Sequence, residues 1–171
     1  SFDLGGLHGV LRTGRNILAI ERHNESLNNG DLSLIPSLEI DCSSPVILVN
    51  EFECEPEGWV ELYNPSSEAL AIGGYFLTDD PADLTKFRIL DGTTIEGSGF
   101  AVFDKGELGF PMPAAGGSII LVVSDGGTVV DSFTFGQQHS GISYGRYPDG
   151  SDGWYFLQTP TKGEPNRATF R

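Results

Sequence analysis

The sequence predicts an all-β protein made of many short strands, arranged as a β-sandwich or barrel. Three observations predict it. Short runs with a period of two, rich in β-branched and aromatic residues, recur along the chain. Turn residues separate them: 23 Gly and 10 Pro occur in 171 residues, well above the ordinary combined share of roughly 12%. No window of eleven or more residues carries a convincing helical stripe.

Strands are predicted near Asn16–Arg22, Leu32–Ile40, Val46–Phe52, Trp59–Asn64, Gly74–Thr78, Lys86–Ile89, Phe100–Phe103, Ser118–Val123, Val129–Phe135, Ser143–Arg146 and Trp154–Leu157. Four Asp-Gly pairs (Asp91-Gly92, Asp125-Gly126, Asp149-Gly150 and Asp152-Gly153) mark tight turns, because both residues tolerate positive φ. The clearest hairpin joins Ile119–Val123 to Thr128–Phe135 through Ser124-Asp-Gly-Gly127. Polar Asp41-Cys-Ser-Ser-Pro45 precedes a new strand and sets a boundary, giving an N-terminal β segment over 1–41 and a larger domain over 42–171. Forty residues with two or three strands are too few to bury a core alone. They are expected to be the closing strands of a preceding β domain or an extra hairpin.

Charge and cysteine usage bound the partners. There are 24 Asp+Glu against 10 Lys+Arg, for a net charge of −14. From Val46 to Asn166 there are 18 acids and 5 bases, so the larger domain carries nearly all of that excess. An acidic surface with dispersed bases argues against nucleic acid and anionic membranes as partners. The longest apolar runs, such as Ser118–Val123, are far too short to span a bilayer. The opening at Ser1, with neither a basic segment nor an apolar stretch, reads as a fragment of a longer chain with no signal peptide in it. Cys42 and Cys54 flank a predicted strand whose eight extended residues would span about 26 Å. Disulfide-linked Cα atoms lie about 5.5 Å apart, so the reading here is two free thiols that leave the compartment open.

At this point the residues carry a resemblance. Asn50-Glu-Phe52, Gly58-Trp-Val-Glu-Leu-Tyr-Asn-Pro65 and Gly73-Gly-Tyr-Phe-Leu-Thr-Asp-Asp80 open a series of six blocks. Lys86-Phe-Arg-Ile89 with Asp91-Gly-Thr-Thr-Ile95, Ser143-Tyr-Gly-Arg-Tyr-Pro-Asp-Gly150 and Thr159-Pro-Thr-Lys-Gly-Glu-Pro-Asn166 complete it over about 120 residues. Together they resemble a bacterial-type lamin tail domain. The resemblance implies an immunoglobulin-like β-sandwich without catalytic activity, a module of large secreted or surface proteins that contacts protein partners or other domains of its own polypeptide. A homodimer through exposed β edges is a further expectation. Leu11-Arg-Thr-Gly-Arg-Asn-Ile-Leu-Ala-Ile-Glu-Arg-His-Asn24 more weakly resembles the last strands of a galactose-binding-like jelly roll.

Three patterns could carry chemistry. Gly141-Ile-Ser-Tyr-Gly145 fits the Gly-x-Ser-x-Gly elbow literally. That elbow needs a strand, a sharp turn and a helix, and Tyr144-Gly-Arg-Tyr-Pro148 cannot start one, so Ser143 reads as an accident of composition. Asp79, Asp80 and Asp83 in one loop, and Asp149 and Asp152 in another, offer oxygens of the kind Ca²⁺ takes. Neither loop has EF-hand spacing, and Asp side chains in turns ordinarily bond their own backbone. No other cofactor is expected. The aromatic residues could form a glycan platform, although Phe133 and Phe135 share a face that reads as core. A glycan- or Ca²⁺-binding accessory module for an attached enzyme is therefore the alternative function.

Overall fold

The computed structural model describes residues 47–54 and 56–167. The N-terminal segment 1–41, its predicted strands, Cys42 and the boundary near residues 40–45 lie outside the described residues.

The described residues form antiparallel sheets with a single turn of helix. In chain order the elements are β1 (Leu48–Glu53), β2 (Trp59–Tyr63), β3 (Leu70–Ala71), β4 (Phe76–Thr78), β5 (Phe87–Arg88), β6 (Thr94–Ile95) and β7 (Phe100–Asp104). Then come α1 (Lys105–Leu108), β8 (Gly117–Val122), β9 (Val129–Phe135), β10 (Ser143–Arg146) and β11 (Trp154–Leu157). One sheet has the order β11-β10-β1-β2-β7, a second β5-β4-β8-β9, and β3 pairs with β6. The predicted hairpin is β8–β9, and Asp125 closes its turn. Its Oδ1 accepts the backbone N–H groups of Gly127 and Thr128, both at 2.8 Å. Gly92, Gly126 and Gly150, in three of the four Asp-Gly pairs, have positive φ, as the turns require.

Strand limits differ from the sequence reading where turns intervene. Gly74 has φ 87° and ends the chain's approach to β4, which starts at Phe76 rather than Gly74. Tyr75 and Ile89 still bond across, with the Ile89 N–H donating to the Tyr75 carbonyl at 2.8 Å. β3 and β6 hold two residues each, too short to show a period.

Alternation along β2 places Val60 and Leu62 toward the core and Trp59, Glu61 and Tyr63 on the other face. On β1 the two core residues are Val49 and Phe52, three apart, which a regular strand cannot put on one face. A β-bulge resolves this: Val49 pairs with Leu62 and Glu51 with Glu61, so Asn50 is the extra residue. Phe52 then packs on Phe133 and Phe135 of β9 at centroid distances of 6.1 and 4.6 Å. Side chains of the two larger sheets therefore share one core, with Ile119 and Leu121 of β8, Leu77 of β4 and Ile72 and Ile89 from the connections. Trp154 stacks on Phe133 at 3.8 Å and joins this cluster from β11.

Candidate functional site

The face of the five-stranded sheet opposite the core carries buried polar groups. Asn50, Glu51, Glu61 and Ser143 are fully buried, and Asn166 nearly so. Unpaired, such groups cost several kcal/mol each, and here they bond to one another. The bulge turns Asn50 as well as Glu51 toward Glu61. Asn50 Nδ2 donates to Glu61 Oε1 at 3.0 Å and to Asp149 Oδ1 at 2.9 Å, and its Oδ1 accepts the Gly150 N–H at 3.0 Å. Ser143 donates to Glu51 Oε1 from β10.

The C-terminal segment 159–166 straps across this face. Thr161 donates its N–H to Glu51 Oε1 at 3.0 Å, and its hydroxyl lies 2.7 Å from Glu51 Oε2. Gly163 N–H donates to Glu61 Oε2 at 2.7 Å. Asn166 donates its backbone N–H to Asp149 Oδ1 at 3.1 Å and its Nδ2 to the Arg146 carbonyl at 2.8 Å. Lys162 reaches over the Trp59 ring and bonds Asp104 at 2.5 Å. Thr159, Pro160, Thr161, Lys162 and Glu164 of this segment, with Arg167 after it, border an open cavity of about 440 Å³.

Burial decides the ionisation of these acids. Desolvation pushes Glu61 up to about 8, against the lowering effect of the Asn50 and Gly163 hydrogen bonds, with Glu51 and Asp149 adding repulsion. Glu51 is raised for the same first reason, opposed by hydrogen bonds from Ser143 and Thr161. No cation among the described residues pairs with either acid.

Close packing allows only glycine at position 145. A Cβ there would lie 2.8 Å from Asn166 Nδ2 and 3.0 Å from both Glu51 Cγ and Leu157 Cδ1. Gly145→Ala is expected to lower stability by about 1–3 kcal/mol through overpacking, measured by urea unfolding. An unchanged midpoint would mean the strap yields freely.

A second polar pair sits on the core side. Arg146 Nη2 bonds Asp131 Oδ2 at 3.1 Å, with both side chains nearly buried. The bulge leaves Val49 without regular ladder partners on β10, and these two side chains supply them. Val49 N–H donates to Asp131 Oδ2 at 2.8 Å, and Arg146 Nε donates to the Val49 carbonyl at 2.7 Å.

The residues singled out in the sequence fall in different places. Ser143 is fully buried against Glu51, with no free approach to its hydroxyl. Asp79 pairs with Lys86 at 2.7 Å, Asp80 caps the Ala82 N–H at 2.9 Å, and Asp83 accepts from the Thr85 N–H at 3.2 Å. Asp149 belongs to the strap network, whereas Asp152 is exposed. Among the described residues no group of three or more His, Cys, Asp or Glu side chains is placed to hold a metal ion. Cys54 is buried in the core. No described helix is long and apolar enough to cross a membrane. The sequence reading missed Glu51, Glu61, Asn50 and Asn166 as a group. The available signal was a charge set between aromatics on one strand face, Trp59-Val-Glu61-Leu-Tyr63.

Comparison with known proteins adds nothing to this picture: no family model, no curated protein and no solved structure matches the chain.

Proposed function

We propose that residues 42–171 are an immunoglobulin-like β-sandwich of the lamin tail type. In this reading it is a non-catalytic structural and protein-interaction module of a larger secreted or surface protein. One observation carries the reading. The polar residues of the resembling blocks, Asn50, Glu51, Glu61, Ser143 and Asn166, are buried and bonded to one another or to Asp149 and the strap. Residues used in this way hold strands and strap together and present no nucleophile to solvent. What faces outward includes the rings of Tyr155 and Phe156 on β11, at one end of the five-stranded sheet. Aromatic side chains of this kind are common at protein interfaces. The acidic surface directs this module to protein partners rather than nucleic acid.

The test combines a fluorophosphonate probe, thermal unfolding with Ca²⁺ or EDTA, and a glycan array. Expected are no labelling, no shift in Tm and no array hit. Labelling at Ser143 would overturn the non-catalytic reading. A Ca²⁺-dependent gain in Tm that is lost in Asp79→Asn or Asp149→Asn, or a reproducible glycan hit, would replace it with the accessory-module alternative.

A further inference from the structure

Counting protons in the strap network exposes a mismatch that one extra proton removes. Thr161 Oγ1 lies 2.7 Å from Glu51 Oε2 and 2.7 Å from Asn166 Oδ1. A hydroxyl has one proton to give, so only one of these contacts can be its donation. Asn166 cannot supply the other proton from its oxygen. Turning its amide over would set Oδ1 against the Arg146 carbonyl, which Nδ2 now approaches at 2.8 Å. Glu51 Oε1 is already satisfied, taking the Ser143 hydroxyl and the Thr161 N–H. The missing proton therefore belongs on Glu51 Oε2.

We propose that the folded chain holds Glu51 as a neutral carboxyl, whose proton runs to Thr161 Oγ1 and on to Asn166 Oδ1, and that this proton locks the 159–166 strap onto the sheet. The charged surroundings agree. From the β10–β11 loop Asp149 raises the cost of a charge at Glu51, and on β2 Glu61 stands opposite it in the strand register. On β1 itself Glu53 is engaged by the Trp59 indole N–H. The nearby cations are held elsewhere: Lys162 of the strap by Asp104, and Arg146 of β10 by Asp131 on the core side. Burial raises Glu51 above the ordinary carboxylate range in the same direction. When the proton leaves, Thr161 must donate to Glu51 and meets Asn166 Oδ1 with lone pairs only, so the strap opens while the sheets stay folded. The lock is thus released by alkali and closed by acid. It is independent of whatever the module binds.

Glu51→Gln is the discriminating variant, because an amide donates from Nε2 where the neutral carboxyl donates and accepts at Oε1 where it accepts. Amide hydrogen exchange of Thr161, Gly163 and Asn166 would be followed in the whole chain from about pH 5 to about pH 9, corrected for intrinsic rates. In the wild type, protection of these amides is expected to fall about tenfold per pH unit once the proton begins to leave. In Glu51→Gln the fall should be shallower, what remains being due to Glu61 beneath the Gly163 N–H, while β8 and β9 amides remain protected in both. Side-chain ¹³C NMR of Glu51 in the wild type supplies a readout that needs no variant, and it should report a protonated carboxyl at neutral pH. An ionised Glu51 there, or strap opening in Glu51→Gln with the wild-type midpoint, would overturn the proposal. The second result would assign the opening to Glu61.

Discussion

Replacing Asp131 with Ala is expected to lower the unfolding free energy by about 3–5 kcal/mol. The cost arises from what is left behind. Arg146 would keep a nearly buried guanidinium with no counter-charge, since Asp131 is its only acidic partner among the described residues. Val49 N–H, 0% exposed at the bulge, would lose its acceptor. A charge stranded in this way costs more than the pair contributes, because the attraction of a buried pair is largely offset by the desolvation of both ions. The double variant Asp131→Leu/Arg146→Met should therefore recover much of the loss, leaving mainly the unmet Val49 groups. Urea unfolding of Asp131→Leu, Arg146→Met and the double variant closes the cycle beside Asp131→Ala. A loss below about 1 kcal/mol in Asp131→Ala would mean that water replaces the carboxylate and that the bulge is not held by this pair.

That bulge also marks where the sequence stops being readable. Strand positions from β2 to β11 were legible where alternation runs for three residues or more, as in Trp59–Tyr63 and Val129–Phe135. Turn chemistry was legible as well, because an Asp side chain bonds N–H groups only two or three residues away, as Asp125 does. The register of β1 was not. Val46–Phe52 reads as one strand, and nothing in it says that Asn50 is an insertion placing Val49 and Phe52 on the same face. The polar network was hidden for a different reason. Its bonds join positions about 100 apart, such as Glu51 to Thr161 and Asn50 to Gly150, and no local pattern encodes which distant donor meets a buried acid. Asp149 shows the consequence. Its sequence context is that of a solvated Asp-Gly turn, yet the fold uses it to hold Asn50 and Asn166.

Stability should be greatest near pH 5 and fall steadily toward pH 8, and Glu61 sets most of that slope. Its carboxyl stands at about 8 in the folded chain, against a value of 4.5 when freely solvated. Below about 4.5 both states hold the proton and Glu61 contributes no difference. Between the two values the unfolded chain has lost its proton while the native state keeps it, so each pH unit removes about 1.4 kcal/mol of unfolding free energy per group. Across the whole window the loss is about 5 kcal/mol. Glu51, raised for the same reason, adds in the same direction. On the acid side the sign reverses. Asp80, held down by the Ala82 N–H and then Lys86, and Asp125, held down by Thr128 and Gly127, lose those contacts as they protonate below their ordinary value of 3.8. Their surface exposure keeps that acid limb shallow. The measurement is urea unfolding from about pH 5.5 to about pH 9, with Glu61→Met as the comparison. Removing the acid leaves Asn50 and Gly163 without their acceptor, so the variant's absolute stability falls and the slope is the quantity that decides. A wild-type slope that is flat, or that rises with pH, would mean Glu61 is ionised in the fold and that the Asn50 and Gly163 donors outweigh its desolvation.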